Sequence, residues 1–133
     1  MRALIVEDDA TGAELLRHII KPYAEVEIAN NGKIAIEKFC AAIESGKPFD
    51  LICLDIMMPE VNGQAVLRHI REYEQENGVS DADAAKVIMI SALDDSGNIL
   101  NAFQVGCEAY LTKPIETKKL INQLKELGLI KDD

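Results

Sequence analysis

The chain has 133 residues, enough for one domain with a single core. Its net charge of -9 and pI near 4.7 argue against direct nucleic-acid binding, which needs basic side chains to neutralise phosphates. No apolar run approaches the roughly 20 residues that span a bilayer, and Met1-Arg-Ala-Leu-Ile-Val runs straight into acids, unlike a signal peptide.

Residues 3–6 are a continuous apolar run, as expected of a strand buried on both faces. Thr11-x-x-Glu14 has the spacing of a capping box, and Leu15, Leu16, Ile19 and Ile20 follow with helical spacing up to Pro22. Residues 25–29 alternate and are more polar, which suits an edge strand. After the turn Asn30-Asn31-Gly32, a second helix carries Ile36, Phe39, Cys40 and Ile43 and stops at Gly46-Lys47-Pro48. Residues 49–54 form the third strand, and an irregular segment leads to about Asn62. The third helix runs from Gly63 through Val66, Leu67, Ile70 and Tyr73. Its charged tail, from Glu72 to Lys86, is expected to add helical turns ending near Gly78 and then a solvated loop. Residues 87–90 are the fourth strand. Ser96 is placed to cap a fourth helix bearing Ile99, Leu100 and Phe103 and ending at Gly106. Residues 108–112 are the fifth strand. The last helix carries Leu120, Ile121, Leu124 and Leu127, with Gly128 as its stop.

Five strand–helix units in alternation imply an α/β fold, a doubly wound parallel sheet with helices on both faces, as one domain over residues 1–133. Cys40, Cys53 and Cys107 lack paired spacing and sit among apolar neighbours. That suits reduced thiols in a cytoplasmic protein.

In a parallel sheet all strand C-terminal ends share one edge, and ligands bind in the crevice there. Glu7, Asp8, Asp55, Ser91 and Lys113 all fall at such ends. Three carboxylates together repel one another unless a counter-charge is present. A hard divalent cation such as Mg²⁺ suits oxygen ligands of this kind, and Lys113 adds a further positive charge. With no nucleophilic Cys, catalytic His or glycine-rich phosphate loop, the set fits phosphoryl transfer onto a carboxylate. Singly, each residue has a plainer role. Asp55 would be a turn residue, Glu7-Asp8-Asp9 a capping cluster with Asp9 only a cap, and Tyr110 a packed strand aromatic. The weight lies in their joint occurrence, in order, at four strand ends.

On these residues the chain resembles the bacterial two-component response-regulator receiver domain, of the single-domain chemotaxis-regulator type, over essentially its whole length. The resemblance implies a (βα)5 flavodoxin-like fold with strand order 2-1-3-4-5. It implies a signalling switch, not an enzyme on an external substrate. Asp55 would be the phosphoacceptor, served by a sensor histidine kinase or a phosphotransfer protein. Mg²⁺ would be held by Glu7 (mainly through water), Asp8, Asp55 and the Met57 backbone carbonyl. Ser91 and Lys113 would engage the phosphoryl group, Ser91 and Tyr110 would form the switch, and the Lys113–Pro114 bond would be cis. Pro59 and Gly63 would complete the loop after Asp55. The surface of the fourth helix, fifth strand and fifth helix would then change its affinity for a downstream protein, as a monomer or as a phosphorylation-dependent homodimer. His18 and His69 are expected at the surface, without a relay role. Met57 and Leu93 stand where the family tunes hydrolysis, and two apolar side chains there imply a persistent phosphorylated state.

Three alternatives stand beside the switch. An aspartyl-nucleophile phosphohydrolase usually needs an acid two residues after the nucleophile, where Met57 stands. A degenerate receiver would lack part of the site set. A receiver excised from a multidomain regulator or hybrid kinase would end, as this chain does, just past the last helix.

Overall fold

In the computed structural model, which describes residues 1–131, strands and helices alternate from end to end. The strands are β1 (Arg2–Val6), β2 (Glu25–Ala29), β3 (Leu51–Leu54), β4 (Lys86–Ser91) and β5 (Ala109–Thr112). The helices are α1 (Ala10–Ile20), α2 (Gly32–Glu44), α3 (Gly63–Glu76), α4 (Ser96–Val105) and α5 (Thr117–Glu126). Every strand pairing is parallel, in the order β2-β1-β3-β4-β5. The fold class and strand order are those expected.

The apolar runs are continuous because the central strands are covered on both sides. Successive side chains of a strand point to opposite faces. Leu4, Val6, Ile52, Leu54, Val87 and Met89 meet Phe39, Val66, Leu67 and Ile70 from α2 and α3. Ala3, Ile5, Leu51, Cys53, Ile88 and Ile90 meet Leu16, Ile19, Ile20, Leu120 and Leu124 from α1 and α5. β2 lies at the edge and is the more polar strand. All three cysteines are free thiols, and burial pushes the Cys53 thiol up to about 12. Among the described residues no helix is long and apolar enough to cross a membrane.

Several local expectations need correction. α1 begins earlier than the Thr11 capping box allows: Asp9 is the cap and accepts from Gly12 N at 3.1 Å, leaving Thr11 inside the helix. Asp95, not Ser96, caps α4 and accepts from Asn98 N at 3.0 Å. In both cases an aspartate upstream of the expected hydroxyl takes the exposed amide. β3 begins at Leu51 and β5 at Ala109, later than expected. Leu15, Leu100 and Phe103 share the helical period but face solvent, because α1 and α4 present other stripes to the sheet. Gly46, Gly78, Gly106 and Gly128 all have positive φ just past their helices, as anticipated.

The charged tail of α3 is not simply a solvated face. Glu74 is 5% exposed and forms a network with Arg71. Arg71 Nη1 donates to Glu74 Oε1 (2.7 Å) and Ala85 O (2.8 Å), and Nη2 donates to Glu108 Oε1 and Oε2 (3.0 Å each) and to Gly106 O (2.8 Å). Glu74 Oε2 accepts from Ala85 N and Glu108 Oε2 from Val87 N. One cation thus ties α3 to the starts of β4 and β5, at the end of the sheet opposite Asp55. Removing one member of a buried ionic network typically costs about 3–5 kcal/mol, because the remaining charge loses its partner. Arg71→Met should therefore lower unfolding stability in urea by about that amount, whereas Arg17→Met, at an exposed pair with Glu14, should lower it by less than about 1 kcal/mol.

Candidate functional site

β1 and β3 are hydrogen-bonded neighbours in register, Val6 beside Leu54. The residues that follow them, Glu7 and Asp55, therefore emerge side by side at the same edge. Glu7 is 2% exposed and Asp55 5%, while Asp8 is exposed. Carboxylate oxygens of Glu7, Asp8 and Asp55 all lie within 4.8 Å of one another. At that separation two like charges repel by roughly 3 kcal/mol with an effective dielectric near 20, so bare clustering is unfavourable.

Lys113, just after β5, supplies part of the compensation. Its Nζ donates to Glu7 Oε1 at 2.5 Å and to Asp55 Oδ2 at 2.9 Å. Burial alone would lower the pKa of this ammonium, but the hydrogen bonds and charges of Glu7 and Asp55 outweigh it and hold the pKa above its ordinary value. Burial pushes the Glu7 carboxyl up; the Lys113 hydrogen bond opposes this and the Asp55 charge adds to it. Three carboxylates against one ammonium leave two negative charges when all are ionised. A hard, all-oxygen donor set of that charge matches Mg²⁺, so these residues fit the metal expected of them.

Backbone groups complete the cluster. Met57 N donates to Asp55 Oδ1 at 3.2 Å, and Asp9 N to Glu7 Oε2 at 3.3 Å. The Met57 side chain is 55% exposed beside the cluster. Ser91 and Tyr110 form an adjoining group centred on Leu93. Ser91, fully buried at the end of β4, accepts from Leu93 N through Oγ at 3.2 Å. The Tyr110 hydroxyl donates to Leu93 O at 2.5 Å. Burial above all raises the Tyr110 phenol above its ordinary value. Lys113 N donates to Ser91 O at 2.8 Å, which joins the two groups through the backbone. The Lys113–Pro114 peptide is cis. His18 and His69 are exposed on α1 and α3.

A model of the response regulator receiver domain matches residues 3–125. The chain belongs to this family. CheY of Thermotoga maritima is 29% identical over 96% of this chain and 97% of its own length. ResD of Bacillus subtilis, a transcriptional regulatory protein, is 32% identical, and hybrid signal transduction histidine kinase M of Dictyostelium discoideum is 30% identical. The receiver chain covers 95% and 97% of itself in those two matches but spans only 47% and 5% of the relatives' lengths. Among solved structures, the Borrelia burgdorferi CheX–CheY–BeF3–Mg complex aligns with a TM-score of 0.83 at 25% identity, over 96% of this chain and 89% of that one. The receiver domain of Saccharomyces cerevisiae Ssk1, crystallised with the phosphotransfer protein Ypd1, has the same fold (TM-score 0.82, 24% identity, 99% and 93% covered).

Within this receiver the segment after Asp55 is folded tightly. Met58 N and Gly63 N both donate to Ile56 O, at 3.1 and 2.9 Å, and Glu60 takes a left-handed φ of 68°. The first turn of α3 therefore presses against the Asp55 backbone. A Cβ on Gly63 would lie 2.0 Å from Asp55 O, so only glycine fits. The family resemblance puts Gly63 in the loop after Asp55; the close backbone contact is added by the packing of α3. Gly63→Ala should displace the loop that positions Asp55. A chemical-shift comparison should show the largest changes at Asp55 to Met58, with lowered thermal stability. Shifts confined to α3 would contradict the packing described.

Proposed function

We propose that this receiver takes a phosphoryl group on Asp55 and acts as a phosphorylation-driven switch. The observation that carries this is the Lys113 ammonium, bonded at once to Glu7 and Asp55 with Asp8 in the same cluster. A carboxylate is held next to a cation at the open edge of a parallel sheet. That is the arrangement an aspartyl nucleophile requires.

In the transfer, an Asp55 carboxylate oxygen forms a bond to phosphorus. The donor's P–N bond, in a phosphohistidine of a sensor kinase or phosphotransfer protein, breaks and the imidazole leaves with the electron pair. Lys113 neutralises charge on the equatorial oxygens as they pass into the transition state. Glu7, Asp8, Asp55 and the Met57 carbonyl would hold Mg²⁺, which when bound supplies the positive charge that screens the carboxylates from the incoming phosphoryl group. Ser91 then exchanges its Leu93 N contact for a phosphoryl oxygen, to which its hydroxyl donates. Loss of that contact frees Leu93, and the Tyr110 hydroxyl, bonded to Leu93 O, follows it inward. The surface of α4, β5 and α5 changes population, and a downstream protein that prefers one state responds. The chemistry ends on the receiver's own carboxylate, so no external substrate is turned over. The bound phosphoryl mimic and Mg in the Borrelia complex, and the kinase and phosphotransfer settings of other relatives, support the same assignment here.

Incubation with a small acyl phosphate and Mg²⁺ should label the protein with one phosphoryl group. Asp55→Asn, or chelation of the metal, should reduce labelling to background. Equal labelling of the mutant would sink the proposal.

Two apolar neighbours, Met57 and Leu93, offer no side-chain group to orient an attacking water. The phosphorylated state should therefore persist. Converting both to polar residues should speed phosphate release roughly tenfold, equivalent to about 1.4 kcal/mol of barrier. Fast release from the wild type, unchanged in the double variant, would count against it.

A further inference from the structure

α4 is held unevenly at its two ends. At the C-terminal end, Arg71 Nε and Nη2 donate to Gly106 O at 3.0 and 2.8 Å, and the same guanidinium is anchored on Glu74, Glu108 and Ala85 O. Val105 packs on the core at that end. The outer face is largely open to solvent: Leu100 and Phe103 are 59% and 46% exposed, and Ala102 is the buried residue of the helix. At the N-terminal end, the polar tie from α3 among the described residues is one neutral bond, from Gln64 Nε2 to Asn98 O at 3.0 Å.

That bond has a cost built into it. A carbonyl accepts and cannot donate, so the amide nitrogen of Gln64 must face Asn98 O. Gln64 is 8% exposed, and its Oε1 is left buried without a hydrogen-bond partner among the described residues. A neutral hydrogen bond typically gains less than an orphaned buried acceptor loses. Outside the cleft, both halves of the amide would meet water. Gln64 therefore fixes where the end of α4 rests while keeping that rest shallow.

We infer that α4 is a lever hinged at Arg71, with Gln64 as the residue that eases release of its free end. This rests on the switch role proposed for Ser91, because Leu93, which Ser91 holds, leads directly into the N-terminus of α4. A displacement of Leu93 then meets little resistance at Asn98 and strong resistance at Gly106.

Gln64→Met and Gln64→Leu keep the cleft filled while removing both the bond and the orphaned oxygen, so either variant decides the matter. Hydrogen exchange, measured on the unphosphorylated protein without metal, should be several-fold slower at the amides of Leu100 to Ala102 in both variants. The amides of Gly106 and Cys107, bonded to Ala102 O, should be unchanged. Affinity for beryllofluoride with Mg²⁺ should fall by a similar factor. Unchanged or faster exchange in the N-terminal half overturns the lever, as does equal slowing at both ends. Failure of beryllofluoride to bind the wild type would remove the phosphoacceptor role, while the exchange comparison would still decide the lever.

Discussion

The ammonium of Lys113 sits between two buried carboxylates that belong to different strands, and the chemistry of the molecule turns on that placement. Glu7 and Asp55 are brought together by the register of β1 and β3, not by any attraction of their own. Without Lys113 they would repel at close range in a poorly hydrated crevice. With it, Glu7 and Asp55 share one ammonium as a hydrogen-bond donor, and three ionised carboxylates would still outnumber the positive charge. That residual imbalance of two charges is what a hard divalent cation would offset. Lys113 is also tied through its backbone to Ser91, so the ammonium and the buried hydroxyl belong to one hydrogen-bonded edge of the sheet.

The two ends of the sheet are built for different purposes. At the C-terminal ends of the strands, Asp9, Asn31, Asn62 and Asp95 cap the helices that follow, and the connections are loops whose geometry can change. At the other end, Arg71 unites α3, β4 and the turn before β5 through partly buried ionic and backbone hydrogen bonds. The switch proposed above would use both: a fixed base at one end, and a rim where one hydroxyl would change partners. Tyr110 and Ser91 meet at the same residue, Leu93, one through its carbonyl and the other through its amide. A single short segment therefore links the two side chains.

Much of this was visible in the residues themselves. Apolar runs of four to six residues marked the buried strands, and the acids, serine and lysine that ended them marked the site, because a doubly covered strand tolerates such groups only where it leaves the core. The strand order came with the family resemblance. What the chain did not disclose has one physical cause: contacts between residues far apart in sequence depend on how helices are rotated about their axes. The inward turn of Glu74, the reach of Arg71 to Glu108, the approach of Gly63 to Asp55 O and the orphaned Gln64 oxygen are all of this kind. The cap assignments failed for a local reason. At both α1 and α4 an aspartate one or two residues upstream of the expected hydroxyl took the exposed amide, and a carboxylate is the better acceptor.

The acidic edge strand has a consequence beyond topology. β2 has an unpaired side, and an exposed strand edge is a template on which a second molecule can add its own strand. Glu25 and Glu27 lie on this strand, and Arg2 and Lys38 are held against it through Glu27 at 2.6 and 3.0 Å. Another copy approaching edge to edge would bring its own glutamates against these and would have to strip water from all of them. That edge of the sheet is thereby guarded against pairing with the same edge of another copy.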